Sequence, residues 1–89
     1  MTAQAEKVRE ELRRLIGEIL ARKRSPLSAA QVTDQTSLMR DLGIDSLDLL
    51  QLAAVVEKKF GIRFSEQETR GLDNFGTLAG AVLRRLDGA

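Results

Sequence analysis

The stretch DLGIDSLDLL, residues 41–50, places a single serine, Ser46, between a glycine-containing turn and an apolar run. A serine in this setting is first of all a candidate helix N-cap, because side-chain oxygens there accept hydrogen bonds from the free N–H groups of the first turn. Either Asp45 or Ser46 could fill that role. Asp45 and Asp48 flank the serine, however, and one acid would satisfy the capping need. The Ser46 hydroxyl is therefore also a candidate point of covalent attachment.

The helix predicted after this point, residues 46–60, has more apolar positions than a surface helix requires. One helical stripe consists of Leu49, Leu52, Ala53, Val56 and Phe60. A second apolar strip lies beside it and consists of Leu47, Leu50 and Ala54. A helix that faces a single core buries only one stripe. The second strip is therefore either covered by another part of the chain or presented to a partner or ligand.

The segment before the motif consists of a helix and a long connection. Residues 3–22 show a helical stripe of apolar side chains, and Pro26 is expected to end this helix because the residue before a proline avoids the α region. The connection, residues 23–45, is long for a compact domain, and such loops are usually either disordered or functional. Five apolar residues could anchor it on a core, so we expect an ordered loop: Leu27, Val32, Leu38, Leu42 and Ile44.

Two further helices are predicted after residue 60. Ser65, followed three residues later by Glu68, is typical of a capped short helix over residues 65–70. Thr77 is expected to cap a last helix over residues 77–87. Together with the two earlier helices, these segments predict an all-α fold that covers the whole chain as one domain. The expected architecture is a small four-helix bundle with a long first loop and a short third helix.

The composition of the 89-residue chain argues against catalysis. It contains no cysteine, histidine, tyrosine or tryptophan, so it lacks the commonest general base, the commonest metal ligand and the best sulfur nucleophile. We expect a non-catalytic protein without a metal site. No apolar run approaches the ~20 residues that a membrane-spanning helix needs, and the first residues show no secretory signal. A cytoplasmic location without membrane insertion is expected.

The charge is unevenly distributed around the serine. The net charge is +1, from 14 basic and 13 acidic residues. The central third, residues 26–57, has one base, Arg40, against five acids, a local charge of −4: Asp34, Asp41, Asp45, Asp48 and Glu57. Both flanking parts of the chain are net basic. An acidic block around the candidate attachment residue predicts partners with basic surfaces.

Several segments together resemble one known family. DLGIDSLDLLQL resembles the acyl carrier protein family, whose signature D-L-G-x-D-S-L surrounds the serine that receives 4′-phosphopantetheine. VTDQTSL is similar to the family's loop, EKKFGIRFSEQE to the end of its second helix and the start of its third, and FGTLAGAVLRRL to its last helix. The resemblance covers essentially the whole domain and implies the acyl-carrier type of four-helix bundle.

The resemblance implies a role for each residue near the motif. Ser46 would accept 4′-phosphopantetheine from coenzyme A, with Asp45 beside it, and the arm would carry acyl or related groups as thioesters. Leu47, Leu50 and Ala54 would face partners and the acyl group, although Leu50 could equally be ordinary core. Asp45, Asp48 and Glu57 would be recognised by basic patches on partners, unless Glu57 belongs to a merely solvated face. Asp41 is expected to fix the turn.

The implied partners are enzymes that load, charge and use the carrier. They are a phosphopantetheinyl transferase, an acyl-ACP synthetase or transacylase, and ketosynthase-type enzymes, acting on a monomeric carrier. The chain departs from the strongly acidic fatty-acid carriers of bacteria at four positions where those usually have Glu: Gln51, Lys58, Lys59 and Arg63. A dedicated carrier for specialised biosynthesis is therefore expected. Ile44, where peptidyl carriers often have glycine, favours acyl over peptidyl cargo.

Two other functions compete with this interpretation. The basic clusters, such as ARKR at residues 21–24, suggest a helical nucleic-acid-binding module. The near-zero net charge, the acidic centre and the absence of Tyr and Trp for stacking argue against it, so we expect no nucleic acid. The other alternative is a helical scaffold that binds protein partners without modification, in which Ser46 only caps a helix.

Overall fold

The computed structural model describes residues 3–88 and contains four α-helices in that range. They are α1 (Ala3–Arg22), α2 (Ser46–Phe60), α3 (Glu66–Arg70) and α4 (Phe75–Gly88), with a short 3-10 turn, Ala29–Gln31, in the first loop. Extended pairing in the described part of the chain consists of one isolated bridge between Ser37 and Asn74. The predicted all-α bundle with a long first loop and a short third helix is confirmed.

The first helix forms the centre of the bundle. Its predicted apolar stripe is buried, and Leu12 and Ile16 are completely enclosed. α1 contacts α2, α4 and the 3-10 turn, so three parts of the chain cover this one stripe. No helix within residues 3–88 is both long and apolar enough to cross a membrane.

The end of α1 falls at the predicted bound, and a capping turn precedes Pro26. The helix ends at Arg22, and Arg24 adopts a left-handed conformation with φ of 54°. The backbone N–H of Ser25 donates to the Leu20 carbonyl at 2.9 Å, and the N–H of Arg24 donates to the Ala21 carbonyl at 3.1 Å. This is a Schellman motif, which satisfies the last carbonyls of the helix before the proline is reached.

The long loop is ordered, as predicted, and four of its five predicted anchors are buried: Val32, Leu38, Leu42 and Ile44. Leu27 is the exception. Its side chain is 43% exposed, so the prediction that it anchors the loop is wrong. α1 also holds the loop, because the Arg13 guanidinium donates two hydrogen bonds of 3.3 Å to the Val32 carbonyl. The same guanidinium lies over the Phe75 ring, 4.9 Å from its centroid.

The start of α4 closes the other side of the loop. The backbone N–H of Phe75 donates to the Thr36 carbonyl at 3.0 Å, and that of Gly76 donates to the Asp34 carbonyl at 2.9 Å. A Cβ at Gly76 would lie only 3.0 Å from Asp34 atoms, so this close approach favours a glycine. The loop is therefore fixed between α1 and α4, and it delivers the chain to the start of α2 in a defined position.

The predicted N-terminus of the last helix needs a correction. Thr77 does not cap α4; the helix starts two residues earlier, and the Asn74 Oδ1 accepts hydrogen bonds from the Thr77 N–H at 2.8 Å and the Thr77 hydroxyl at 2.9 Å. The earlier start brings Phe75 into the core, where it is fully buried. The predicted cap of α3 is confirmed, since the Ser65 hydroxyl accepts from the Glu68 N–H at 3.0 Å.

Candidate functional site

The turn before α2 sets the direction in which the helix begins. Gly43 adopts φ of 70°, a left-handed conformation that glycine reaches without a steric penalty. The Asp41 carboxylate accepts a hydrogen bond of 2.7 Å from the Ser37 N–H, and the buried Ile44 donates its N–H to the Leu38 carbonyl at 3.1 Å. Asp41 therefore fixes the turn, as predicted.

Asp45, rather than Ser46, caps the helix. The Asp45 carboxylate accepts from the Asp48 N–H at 2.8 Å, and the Asp48 carboxylate accepts from the Asp45 N–H at 3.4 Å, which together form a capping box. Ser46 is the first residue of α2. It is exposed, and its hydroxyl has no hydrogen-bond partner within residues 3–88. The capping role is thus filled without the serine.

The helix start also offers unpaired backbone donors next to this hydroxyl. The N–H groups of Ser46 and Leu47 have no acceptor in the described part of the chain, as expected for the first turn of a helix. Such groups, together with the helix dipole, stabilise a negative charge at the N-terminus. A phosphodiester on the Ser46 oxygen would lie next to these donors. The residues present therefore fit a covalently attached phosphopantetheine arm.

A lysine from the end of α1 reaches the acids that flank Ser46. The Lys23 Nζ lies 2.7 Å from the Asp48 Oδ2 and 3.9 Å from the Asp45 Oδ2. The hydrogen bond from Lys23 lowers the pKa of the Asp48 carboxyl, and the same bond raises the pKa of the Lys23 ammonium. Sequence reasoning missed Lys23, because 25 residues separate it from Asp48 and no local pattern joins them.

The second apolar strip of α2 is exposed. Leu47 is 65% exposed, Leu50 is 57% exposed, and Ala54 is also exposed. Leu50 lies one helical turn below Ser46 and therefore on the same side of the helix. The strip is not covered by the long loop, and the alternative that Leu50 is ordinary core is wrong. Val55, which the sequence pattern did not single out, is 47% exposed.

Glu57 has a structural contact that its position in the sequence did not reveal. Its Oε2 accepts a hydrogen bond of 2.7 Å from the Phe64 N–H, and the residue is half-buried. This bond ties α2 to the segment that leads into α3. Glu57 is therefore more than part of a solvated face, and its contact with partners stays a prediction.

The exposed charges of α2 are mixed in sign. Gln51 and Lys58 are exposed, and Lys59 pairs with Glu11 of α1, with 3.3 Å between the Lys59 Nζ and the Glu11 carboxylate. Arg63 follows the helix and is exposed. The acids near Ser46 thus give way to neutral and basic side chains along the helix.

Comparisons with known proteins agree with this geometry. A family model described as "Phosphopantetheine attachment site" matches residues 10–82. An acyl carrier protein of Saccharopolyspora erythraea is 34% identical over 68 residues, which cover 76% of this chain and 70% of that protein. The polyketide-8 synthase acyl carrier protein 2 of Streptomyces avermitilis is 38% identical over 60 residues, 67% of this chain and 63% of that protein.

The fold is also shared with a solved structure. The crystal structure of the acyl carrier protein of Thermotoga maritima superposes with a TM-score of 0.70, at 23% sequence identity, and covers 91% of this chain and 93% of that one. The family model spans most of the chain and includes the whole of the turn and helix around Ser46. The chain therefore belongs to the acyl carrier protein family and contains that family's phosphopantetheine attachment domain.

Proposed function

We propose that the Ser46 hydroxyl is the attachment atom for 4′-phosphopantetheine and that the protein carries acyl or related intermediates on that arm. One observation supports this assignment above the others: Asp45 caps α2, so the exposed Ser46 hydroxyl is left free for modification. The family match favours a carrier over an unmodified scaffold or a nucleic-acid-binding module. When bound, the arm supplies a terminal thiol, which the cysteine-free chain itself lacks.

The residues around Ser46 fix the start of α2 and would stabilise the charge of the attached group. In the transfer step, the Ser46 hydroxyl would lose its proton to a base of the transferase, and its oxygen would form the new bond to the phosphorus that bears the pantetheine arm. The pyrophosphate bond of coenzyme A would break at the same phosphorus and release adenosine 3′,5′-bisphosphate. The capping box of Asp45 and Asp48 keeps the first turn of α2 fixed during this step. The free N–H groups of Ser46 and Leu47 would then stabilise the charge of the phosphodiester.

The exposed strip beside Ser46 is the proposed docking surface for partner enzymes. Leu47, Leu50 and Ala54 offer apolar contact, and Asp45, Asp48 and Glu57 offer negative charge around it. Apolar contact at the centre of an interface supplies most of the affinity, while charges at the edge mainly direct association. The proposed partners are a phosphopantetheinyl transferase, an acyl-ACP synthetase or transacylase, and ketosynthase-type enzymes. The cytoplasmic location that the sequence predicts is part of this proposal.

The mixed charges of α2 favour a carrier dedicated to a specialised pathway. Gln51, Lys58 and Arg63 would weaken attraction to a basic partner surface that recognises a uniformly acidic helix. The similarity to a carrier protein of a Streptomyces avermitilis polyketide synthase is in accord with this proposal. Transfer of a malonyl group to the loaded protein by the general fatty-acid transacylase, at the efficiency seen with the bacterial fatty-acid carrier, would contradict it.

Mass spectrometry of the intact protein tests the attachment residue. The chain is incubated with coenzyme A and a broad-specificity phosphopantetheinyl transferase, beside Ser46→Ala and a matched control, Ser65→Ala. Ser65 also lies at a helix N-terminus, but its hydroxyl is occupied in capping α3. The proposal predicts one added arm on the natural chain and on Ser65→Ala, and none on Ser46→Ala. An arm on Ser46→Ala, or no arm on any chain with two unrelated transferases, would contradict it.

A further inference from the structure

Lys23 brings a positive charge from the end of α1 to the start of α2. The left-handed turn at Arg24 follows it directly, and the Lys23 ammonium reaches the Asp48 carboxylate at 2.7 Å and the Asp45 carboxylate at 3.9 Å. Within residues 3–88, it is the only cation that lies within 4.0 Å of either acid. These two acids are also the ones that flank Ser46 on both sides of the attachment point.

The contact changes the charge that the site presents to a partner. Two carboxylates beside Ser46 would give a local charge of −2, and the Lys23 ammonium reduces it to −1. The Asp48 carboxylate pairs with Lys23 and accepts a hydrogen bond from the Asp45 N–H, and only 18% of the Asp48 side chain is exposed. Asp45 keeps 65% of its side chain exposed. Asp48 is thus less available to partners than Asp45, and Lys23 offsets part of the charge that both acids offer.

The fold does not depend on this pair. The capping box already satisfies the helix terminus, and an exposed ion pair contributes little to stability. Charges around a docking site act mainly on the rate of association and on the choice of partner. The physical effect of Lys23 therefore falls on recognition at Ser46 rather than on folding.

We propose that Lys23 is a specificity-determining residue, which lowers the attraction between this carrier and enzymes that approach Ser46 with a basic surface. The inference rests on the proposed attachment at Ser46. Enzymes that recognise two uncompensated acids would act poorly on this chain, and those with a less basic surface would be favoured. Lys23 acts through Asp45 and Asp48 and does not touch the reacting atoms.

Loading kinetics with a phosphopantetheinyl transferase that has a basic docking face test this proposal. The natural chain is compared with Lys23→Gln and with Arg24→Gln, a neighbouring variant with the same change of charge but no side-chain contact with either acid. At low salt, Lys23→Gln is expected to raise kcat/KM by about threefold or more through KM, with kcat unchanged, because steering acts on association. The gain should shrink toward 1 M salt, where the Debye length falls to about 3 Å.

The controls separate this inference from the proposed function. Equal kcat/KM values for Lys23→Gln and Arg24→Gln, with all chains fully loaded at the end of the reaction, would overturn the role of Lys23 and leave Ser46 as the attachment residue. A gain that persists at high salt would also overturn it, because the effect would not be electrostatic. Absence of loading on all three chains would contradict the proposed function and this inference with it.

Discussion

Asp45 and Ser46 are adjacent residues with separate roles at the start of α2. The Asp45 carboxylate accepts a hydrogen bond of 2.8 Å from the Asp48 N–H, whereas the Ser46 hydroxyl is exposed and makes no hydrogen bond within residues 3–88. A helix terminus that depended on the serine would be weakened when the hydroxyl became an ester. Because the aspartate provides the cap, the proposed modification of Ser46 would leave the helix terminus intact.

This separation predicts effects of different size for two alanine substitutions on stability. Asp45→Ala should lower the free energy of unfolding by about 1 kcal/mol, the usual cost of losing an N-cap. Ser46→Ala should change it by less than about 0.5 kcal/mol, as expected for an exposed position. Urea denaturation followed by circular dichroism measures both. A loss on Ser46→Ala as large as that on Asp45→Ala would show that the hydroxyl takes part in capping.

Leu50, on the exposed apolar strip, and Leu52, in the core, allow the same substitution to be compared at two sites of α2. Leu50 is exposed, so Leu50→Ala should change the free energy of unfolding by less than about 0.5 kcal/mol. Leu52 is buried, so Leu52→Ala should lower it by about 2–5 kcal/mol through the cavity it leaves. Leu50→Ala should nevertheless raise the KM of the transferase for this carrier. An unchanged KM together with a large loss of stability in Leu50→Ala would show that Leu50 belongs to the core.

Glu57 has a structural contact as well as a proposed role in recognition, and two substitutions distinguish them. Glu57→Ala removes the bond to the Phe64 N–H and should lower the free energy of unfolding by about 1–2 kcal/mol. Glu57→Gln keeps an acceptor oxygen and should lose less. Both remove the negative charge, so both should weaken binding to a basic partner equally if the charge is what the partner recognises. Unchanged binding with either variant would leave Glu57 with the structural role alone.

Glu68 makes the stability of the bundle depend on acidity. Its hydrogen bond with Arg85, aided by the Ser65 N–H, lowers the pKa of the Glu68 carboxyl from 4.5 to about 2. Because the folded-state pKa is lower than the unfolded one, the contribution is complete above the unfolded value and is lost as the pH falls from about 5 to about 2. The melting temperature of Glu68→Gln should therefore fall less steeply over this range than that of the natural chain. Melting temperatures of the two chains that fall equally steeply with pH would contradict this role of Glu68.

The sequence predicted the parts of the fold that follow from local patterns. The bounds of α1 and α2 were correct because a helical stripe marks each of them and capping residues mark the start of α2. The start of α4 was wrong because Asn74 and Thr77 are both good capping residues, and only the burial of Phe75 decides between them. The 3-10 turn at Ala29–Gln31 was missed because three residues carry no periodicity.

The contacts around the site could be predicted less well, because they join distant parts of the chain. Asp45, Ser46 and the exposed strip of α2 follow from one segment of sequence. The pairing of Lys23 with Asp48 depends on how α1 ends relative to α2, which the turn at Arg24 determines. The Glu57 bond to Phe64 likewise depends on the path of the chain after α2. The structure was needed to find both.

Locating the arm on the loaded protein tests attachment at Ser46 without any substitution. After incubation with coenzyme A and a transferase, the protein is digested, and the peptides are fragmented in the mass spectrometer to find the residue that carries phosphopantetheine. We expect the whole modification on Ser46, with the other serines unmodified: Ser25, Ser28, Ser37 and Ser65. A modification on any of those serines, or a loaded protein whose Ser46 peptide keeps its unmodified mass, would rule out Ser46 as the attachment residue.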